Sequence, residues 1–122
     1  MKAQGLVFLG VRTAGTDVMA AFFTDVMGLP LAQKAHDFVR FQLPNRDQIE
    51  LWGPSLETQA HVTTGPMPEF LVHDVEQAQA ELEAAGVEIL SPVRFWREGY
   101  GSVHFRAPDG TVCGVLSGQY YD

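Results

Sequence analysis

Apolar and polar positions along this chain follow a pattern that is written twice. An apolar run over residues 6–11 leads into a stretch with helical spacing that stops at Gly28, and three short alternating runs follow. A second run over 70–72 leads into another helical stretch that stops at Gly86, again with three alternating runs behind it. The two stops are alike: Gly28-Leu29-Pro30-Leu31 and Gly86-Val87-Glu88-Ile89 each place a glycine before alternating apolar residues. A period of roughly 60 residues is too long for a solenoid, so the chain reads as two βαβββ modules.

The first helix is expected to begin at Thr16 as N-cap, with Asp17 in the first turn, where the helix dipole favours an anion. Val18, Phe22 and Val26 fall at i, i+4 and i+8, and Met19, Phe23 and Met27 form the neighbouring row. Together they predict a broad apolar stripe ended by a left-handed Gly28. In the second helix, Asp74 and Gln77 have capping-box spacing. Val75, Ala78, Leu82 and Ala85 form the expected stripe, with Glu76, Gln79 and Glu83 facing solvent.

The strand runs alternate with period two. Over 38–43, Val39, Phe41 and Leu43 point one way and Phe38, Arg40 and Gln42 the other. A turn at Pro44-Asn45-Arg46-Asp47 returns the chain into 48–52, where Ile49 and Leu51 take the apolar side. In the second half, Val103, Phe105 and Ala107 alternate against Ser102, His104 and Arg106. Asp109-Gly110 then turns the chain into a last strand over 111–117. Each sheet is left with an oily face for its helix and a mixed face. If the sheets curl so that the mixed faces line a cleft, the predicted ligand-binding set is Phe8, Phe38, Arg40, Glu50, Trp52, Met67, Glu69, His104 and Gly114. That set is aromatic and apolar with a few charges, as small-molecule sites are.

Composition narrows the function classes. A chain of 122 residues fits one domain over 1–122, with modules at about 4–56 and 66–118. Hydrophobic residues at 46% and charged residues at 19% fit a packed protein rather than a disordered one. A net charge of −7 argues against nucleic acid as a partner, because tracking phosphates needs a basic face. The same charge weakly favours cationic ligands. The lone Cys113 cannot form an internal disulfide and has core-facing parity, so inert packing is expected. The apolar run at 6–9 is too short to span a membrane, and a cytoplasmic location is expected.

Three local motifs resemble those of the vicinal oxygen chelate superfamily, which includes glyoxalase I, extradiol dioxygenases, fosfomycin-modifying enzymes and bleomycin-resistance proteins. Ala21-Phe22-Phe23-Thr24-Asp25-Val26-Met27-Gly28-Leu29 resembles its first-helix signature. Phe70-Leu71-Val72-His73-Asp74-Val75 resembles its second-module strand running into a capped helix. Phe105-Arg106-Ala107-Pro108-Asp109-Gly110 is similar to its terminal hairpin. The resemblance implies an α+β fold of the glyoxalase/bleomycin-resistance type, with two βαβββ modules forming a curled mixed sheet with a cleft. In metal-dependent members, four strand residues hold a divalent cation that chelates paired substrate oxygens. Carried over one at a time, those positions fall on Phe8, Glu50, Met67 and Gly114, with Glu69 two residues beyond Met67. Only Glu50 is a ligand type, so neither a metal nor another cofactor is expected.

Two function classes follow. The first is a metal-independent binding or sequestering protein whose aromatic cleft holds a small organic ligand. The second is an enzyme of the same superfamily: a lyase, isomerase or dioxygenase with a rearranged metal site, or a metal-free catalyst with Glu50 and His104 as acid/base groups. His36, His61 and His73 read as surface residues, and Trp96 as a further stacking candidate. Apolar strand edges and a Tyr120-Tyr121 tail favour a homodimer.

Overall fold

The computed structural model describes residues 1–118, so the Tyr120-Tyr121 pair lies outside the described residues. The chain is α+β, with eight strands and two α-helices among those residues. It divides into two compact units. Residues 8–66 form the first, and residues 1–7 with the chain from Met67 onward form the second. Strand β1 (Gly5–Arg12) begins in the second unit and continues in the first.

In the first unit, β1 is followed by α1 (Thr16–Ala21), β2 (Leu31–Ala35), β3 (Phe38–Gln42) and β4 (Gln48–Trp52). The strands lie in the order β2-β3-β4-β1, with β4 parallel to β1 and the other pairs antiparallel. The second unit repeats the plan with β5 (Met67–Leu71), α2 (Val75–Ala84), β6 (Glu88–Arg97), β7 (Tyr100–Arg106) and β8 (Val112–Ser117). Its order is β6-β7-β8-β5, with β8 parallel to β5.

Period-two alternation sends one face of each four-stranded set to a helix. Val39, Phe41 and Leu51 are buried with Ala20 of α1, and Val11, Met19, Phe23 and Leu29 pack around them. Phe23 meets Phe41 edge-on, with ring centroids 5.5 Å apart. The second core joins Val103 and Val115 to Val72, Val75 and Ala78, with Phe70, Ile89, Val93 and Phe105 at its margin. The opposite faces carry the mixed positions.

The first helix departs from the sequence expectation. Its N-cap is Gly15 rather than Thr16, and the Gly15 N–H donates to Thr13 Oγ1 at 3.0 Å. After six residues the helix widens into a π-turn, Phe22–Val26, closed by the Met27 N–H donating to the Phe22 carbonyl at 3.2 Å. Met19, Ala20 and Phe23 face the core, whereas Val18 is 75% exposed, Val26 72% and Phe22 45%. The expected stripe is wider than the sheet beneath can cover. Its Val18-Phe22-Val26 row therefore lies outside the core, and Met27 is exposed as well.

Helix α2 follows expectation more closely. The Asp74 carboxylate accepts the N–H groups of Glu76 and Gln77 at 3.0 and 3.1 Å. Val75, Ala78 and Leu82 are buried. Ala85 is exposed at the C-cap instead of joining the stripe, since the helix ends one residue earlier. Gly28 and Gly86 both take positive φ, 68° and 80°, as the helix stops require. Removing the α2 cap with Asp74→Ala should cost about 1 kcal/mol. Thermal or urea unfolding should register this as a lower midpoint with an unchanged m-value.

Candidate functional site

Each unit carries one cross-strand row of interest on its mixed face. In the first, Glu50 of β4 lies in register between Gly10 of β1 and Arg40 of β3. In the second, Gly114 of β8 lies between Glu69 of β5 and His104 of β7. Because the two units share one strand plan, these rows correspond strand for strand. Each contains a carboxylate, a glycine and a basic side chain, but the carboxylate and the glycine have exchanged strands.

In the first row both Glu50 oxygens are engaged. Arg40 Nε donates to Oε2 at 2.8 Å, and Trp52 Nε1 donates to Oε1 at 2.9 Å. The Arg40 guanidinium also lies 5.4 Å from the centre of the Phe38 ring, within cation–π range. Trp52 is 1% exposed. Its ring lies against Gly10, where any Cβ would collide with it. Phe8 stacks beside it, with centroids 6.1 Å apart and planes 30° apart. A buried indole N–H needs an acceptor, and Glu50 two residues back on the same strand face supplies one.

The second row is more deeply buried. Glu69 Oε1 and His104 Nε2 are 3.6 Å apart, with side chains 5% and 8% exposed. A Cβ on Gly114 would stand 2.7 Å from Glu69 Cγ and 2.8 Å from Oε1. The absent side chain on β8 is what lets the β5 carboxylate lie across the strand and approach β7. Met67, two residues before Glu69, is fully buried on the same face.

Of the residues expected from sequence, Phe8, Phe38, Arg40, Glu50 and Trp52 thus belong to the first unit, and Met67, Glu69, His104 and Gly114 to the second. The acid/base couple expected of Glu50 with His104 is divided between the units, and each residue has a partner within its own. Sequence reading missed the Glu69–His104 couple. Alignment of the two modules strand by strand would have revealed it, since it sets Glu69 level with Gly10 and His104 level with Arg40.

Elsewhere, burial pushes the half-buried Cys113 thiol above its ordinary value, with the Asp109 charge adding to the effect. Asp37 is held below the usual carboxylate range by hydrogen bonds from the Ser55 hydroxyl and backbone N–H. Two cavities also lay outside the sequence expectation. One, of about 260 Å³ in the first unit, is lined by Arg12, Thr13 and Thr63 among others. The other, of about 500 Å³ in the second unit, includes Asp74, Phe95, Glu98 and Ser117 in its wall. Arg12 shares strand parity with Phe8 and Gly10, a usable signal. Nothing in the 53–66 segment marked Thr63.

The fold agrees with the comparisons to known proteins. The model of the Glyoxalase/Bleomycin resistance protein/Dioxygenase superfamily matches residues 5–113, and the chain belongs to that superfamily. Methylmalonyl-CoA epimerase from Mycobacterium tuberculosis is similar in structure, with TM-score 0.69 and 20% identity over 93% of this chain and 87% of that one. A superfamily member from Vibrio splendidus 12B01 gives TM-score 0.68 and 18% identity over 94% and 98% of the two chains. The Mn(II)-bound glyoxalase from Novosphingobium aromaticivorans gives TM-score 0.66 and 21% identity, covering 92% of this chain and 37% of its own. No curated protein matches by sequence.

A divalent cation of the kind used by metal-dependent members does not fit the corresponding residues here. Phe8 and Met67 are buried hydrocarbon or thioether groups, Gly114 has no side chain, and both Glu50 oxygens are already engaged. Among the described residues, no group of three or more His, Cys, Asp or Glu side chains is placed to hold a metal.

The row geometry predicts the effect of restoring a side chain at position 114. Gly114→Ala should destabilise the protein by about 1–3 kcal/mol through overpacking against Glu69. In denaturant unfolding, Glu69→Ala/Gly114→Ala should lose less than the sum of its single variants, because removing the carboxylate frees the space the methyl group needs.

Proposed function

We propose that this chain is a metal-independent small-molecule-binding protein of its superfamily, using the mixed strand faces as its ligand surface. The engagement of Glu50 by Arg40 and Trp52 carries this reading. That arrangement turns the one ligand-type residue at the four family positions into the anchor of an aromatic and cationic wall. Phe8 and Trp52 supply a packed floor, with Phe38 and Arg40 less buried beside them. A protein of this kind would act by holding an organic ligand rather than by polarising it with a Lewis acid.

The Glu69–His104 couple supports a second reading, a metal-free acid/base catalyst. A carboxylate beside an imidazole in a buried setting can hold and pass a proton without a metal. The two readings separate by variant kinetics. Under the binding reading, Glu50→Gln loosens the Arg40 anchor and lowers ligand affinity. Under the catalytic reading, Glu69→Gln leaves affinity in place and lowers turnover.

Metal content gives the most direct test. Elemental analysis after dialysis against Ni²⁺, Zn²⁺, Fe²⁺ and Mn²⁺ should find far less than one ion per chain. A tightly held stoichiometric ion would overturn the proposal and restore the metal-dependent enzyme.

Cytoplasmic location and homodimerisation complete the proposal. No helix among the described residues is long and apolar enough to cross a membrane. The exposed Val18-Phe22-Val26 row, together with an edge strand β2 exposed along its whole length, offers apolar surface that a two-fold copy would cover. Sedimentation at micromolar concentration should give a dimer, and Phe22→Asp should shift it toward monomer. A wild-type monomer under those conditions rejects the interface.

A further inference from the structure

The cavity at the end of β1 has a character opposite to that of the whole chain. The protein carries a net charge of −7, yet Arg12 is the one charged residue among the described residues lining this 260 Å³ space. We infer that it is a subsite for an organic anion, a carboxylate or a phosphate monoester on a short organic body. The inference rests on the small-molecule reading above and specifies the charge of the ligand.

The chain builds the cavity in three steps. Phe8, Gly10 and Arg12 alternate onto one face of β1, which places Arg12 on the mixed face at the last residue of the strand. The Thr13 N–H then donates to the Trp52 carbonyl at 2.9 Å, tying the strand's exit to the end of β4. Beyond β4, the Val62 N–H donates to the Gln59 carbonyl at 3.0 Å, and the Val62 side chain is buried in the cavity wall. Arg12 is held over this wall by one donor, Nη1 to the Ala60 carbonyl at 3.3 Å. A guanidinium has five N–H donors in a planar fork, so one such contact orients it and leaves the fork to a ligand.

Two hydroxyls complete the donor set. Thr13 Oγ1 already accepts the Gly15 N–H at 3.0 Å, which leaves its own proton to donate. Thr63 adds a second hydroxyl to the lining. A planar fork with neighbouring hydroxyl donors suits carboxylate or phosphate oxygens, and a cation or a neutral group would leave the guanidinium unanswered. The volume sets the size. One water occupies about 30 Å³ of liquid, so the space takes an anionic head and a short body rather than an entire drug-sized molecule.

NMR titration of isotope-labelled protein with phenyl phosphate, benzoate and benzyl alcohol tests this. In the wild type, the two anions should shift the resonances of Arg12, Thr13 and Thr63 and bind more tightly than the alcohol. Arg12→Gln should weaken binding of the anions by about tenfold and leave benzyl alcohol unchanged. Thr63→Val, on an exposed loop, should weaken the anions by a smaller factor and guards against a folding defect in the first variant. Tighter phenyl phosphate points to a phosphate head group and tighter benzoate to a carboxylate; either result supports the subsite. Equal binding of all three probes, with no effect of Arg12→Gln, rejects the anion assignment while leaving a small-molecule site. If no probe shifts any resonance on the mixed face, the binding reading falls and the subsite with it.

Discussion

A buried carboxylate needs both a partner and room, and on neighbouring strands the two requirements compete. Strands lie less than about 5 Å apart, so residues facing each other across a ladder cannot all carry bulky side chains toward one point. A glycine in the row resolves the competition in each unit. In the second, Gly114 clears the way for Glu69 to lie across β8 toward His104. In the first, Gly10 yields to the Trp52 ring, and that ring donates to Glu50. Without these two vacancies Trp52 and Glu69 could not lie where they do, since a Cβ at Gly10 or Gly114 would collide with them.

The electrostatic character of the mixed faces follows from that packing. Glu50 is tied to a cation and an indole, which engage both of its oxygens. Glu69 has a histidine within ion-pair distance in a buried setting. Arg12 adds a positive charge at the far end of β1. These basic groups stand out on an acidic chain of net charge −7, most of whose carboxylates lie elsewhere.

Much of the fold was legible in the sequence. The repeated glycine stops, the Asp74 cap and the alternation around Val39, Phe41, Val103 and Phe105 all reflect local rules that the structure obeys. The first helix was harder, because Val18, Phe22 and Val26 have ideal helical spacing and only the width of the sheet decides how much of the stripe is covered. The site was half legible. Parity brought Phe38, Arg40, Glu50 and Trp52 onto one face, but reading positions one at a time scored Gly114 as a loss. A carboxylate from the adjacent strand occupies the same neighbourhood, a cross-strand relation that no linear spacing encodes. Thr63 had no signal at all, since its place depends on the path of an irregular segment.

The π-turn at Phe22–Val26 has a consequence for how the first helix tolerates change. A single added residue in a helix turns everything after it by about 100°, and the wide turn absorbs such an offset within one loop of backbone. Here it lets Phe23 stay inward while the chain still reaches Gly28 at the geometry needed to enter β2. Loss of one residue from this turn would tighten it to ordinary α geometry and leave the glycine stop facing the same way. The segment therefore works as a length adjuster between a core that is fixed and a strand that must start in register.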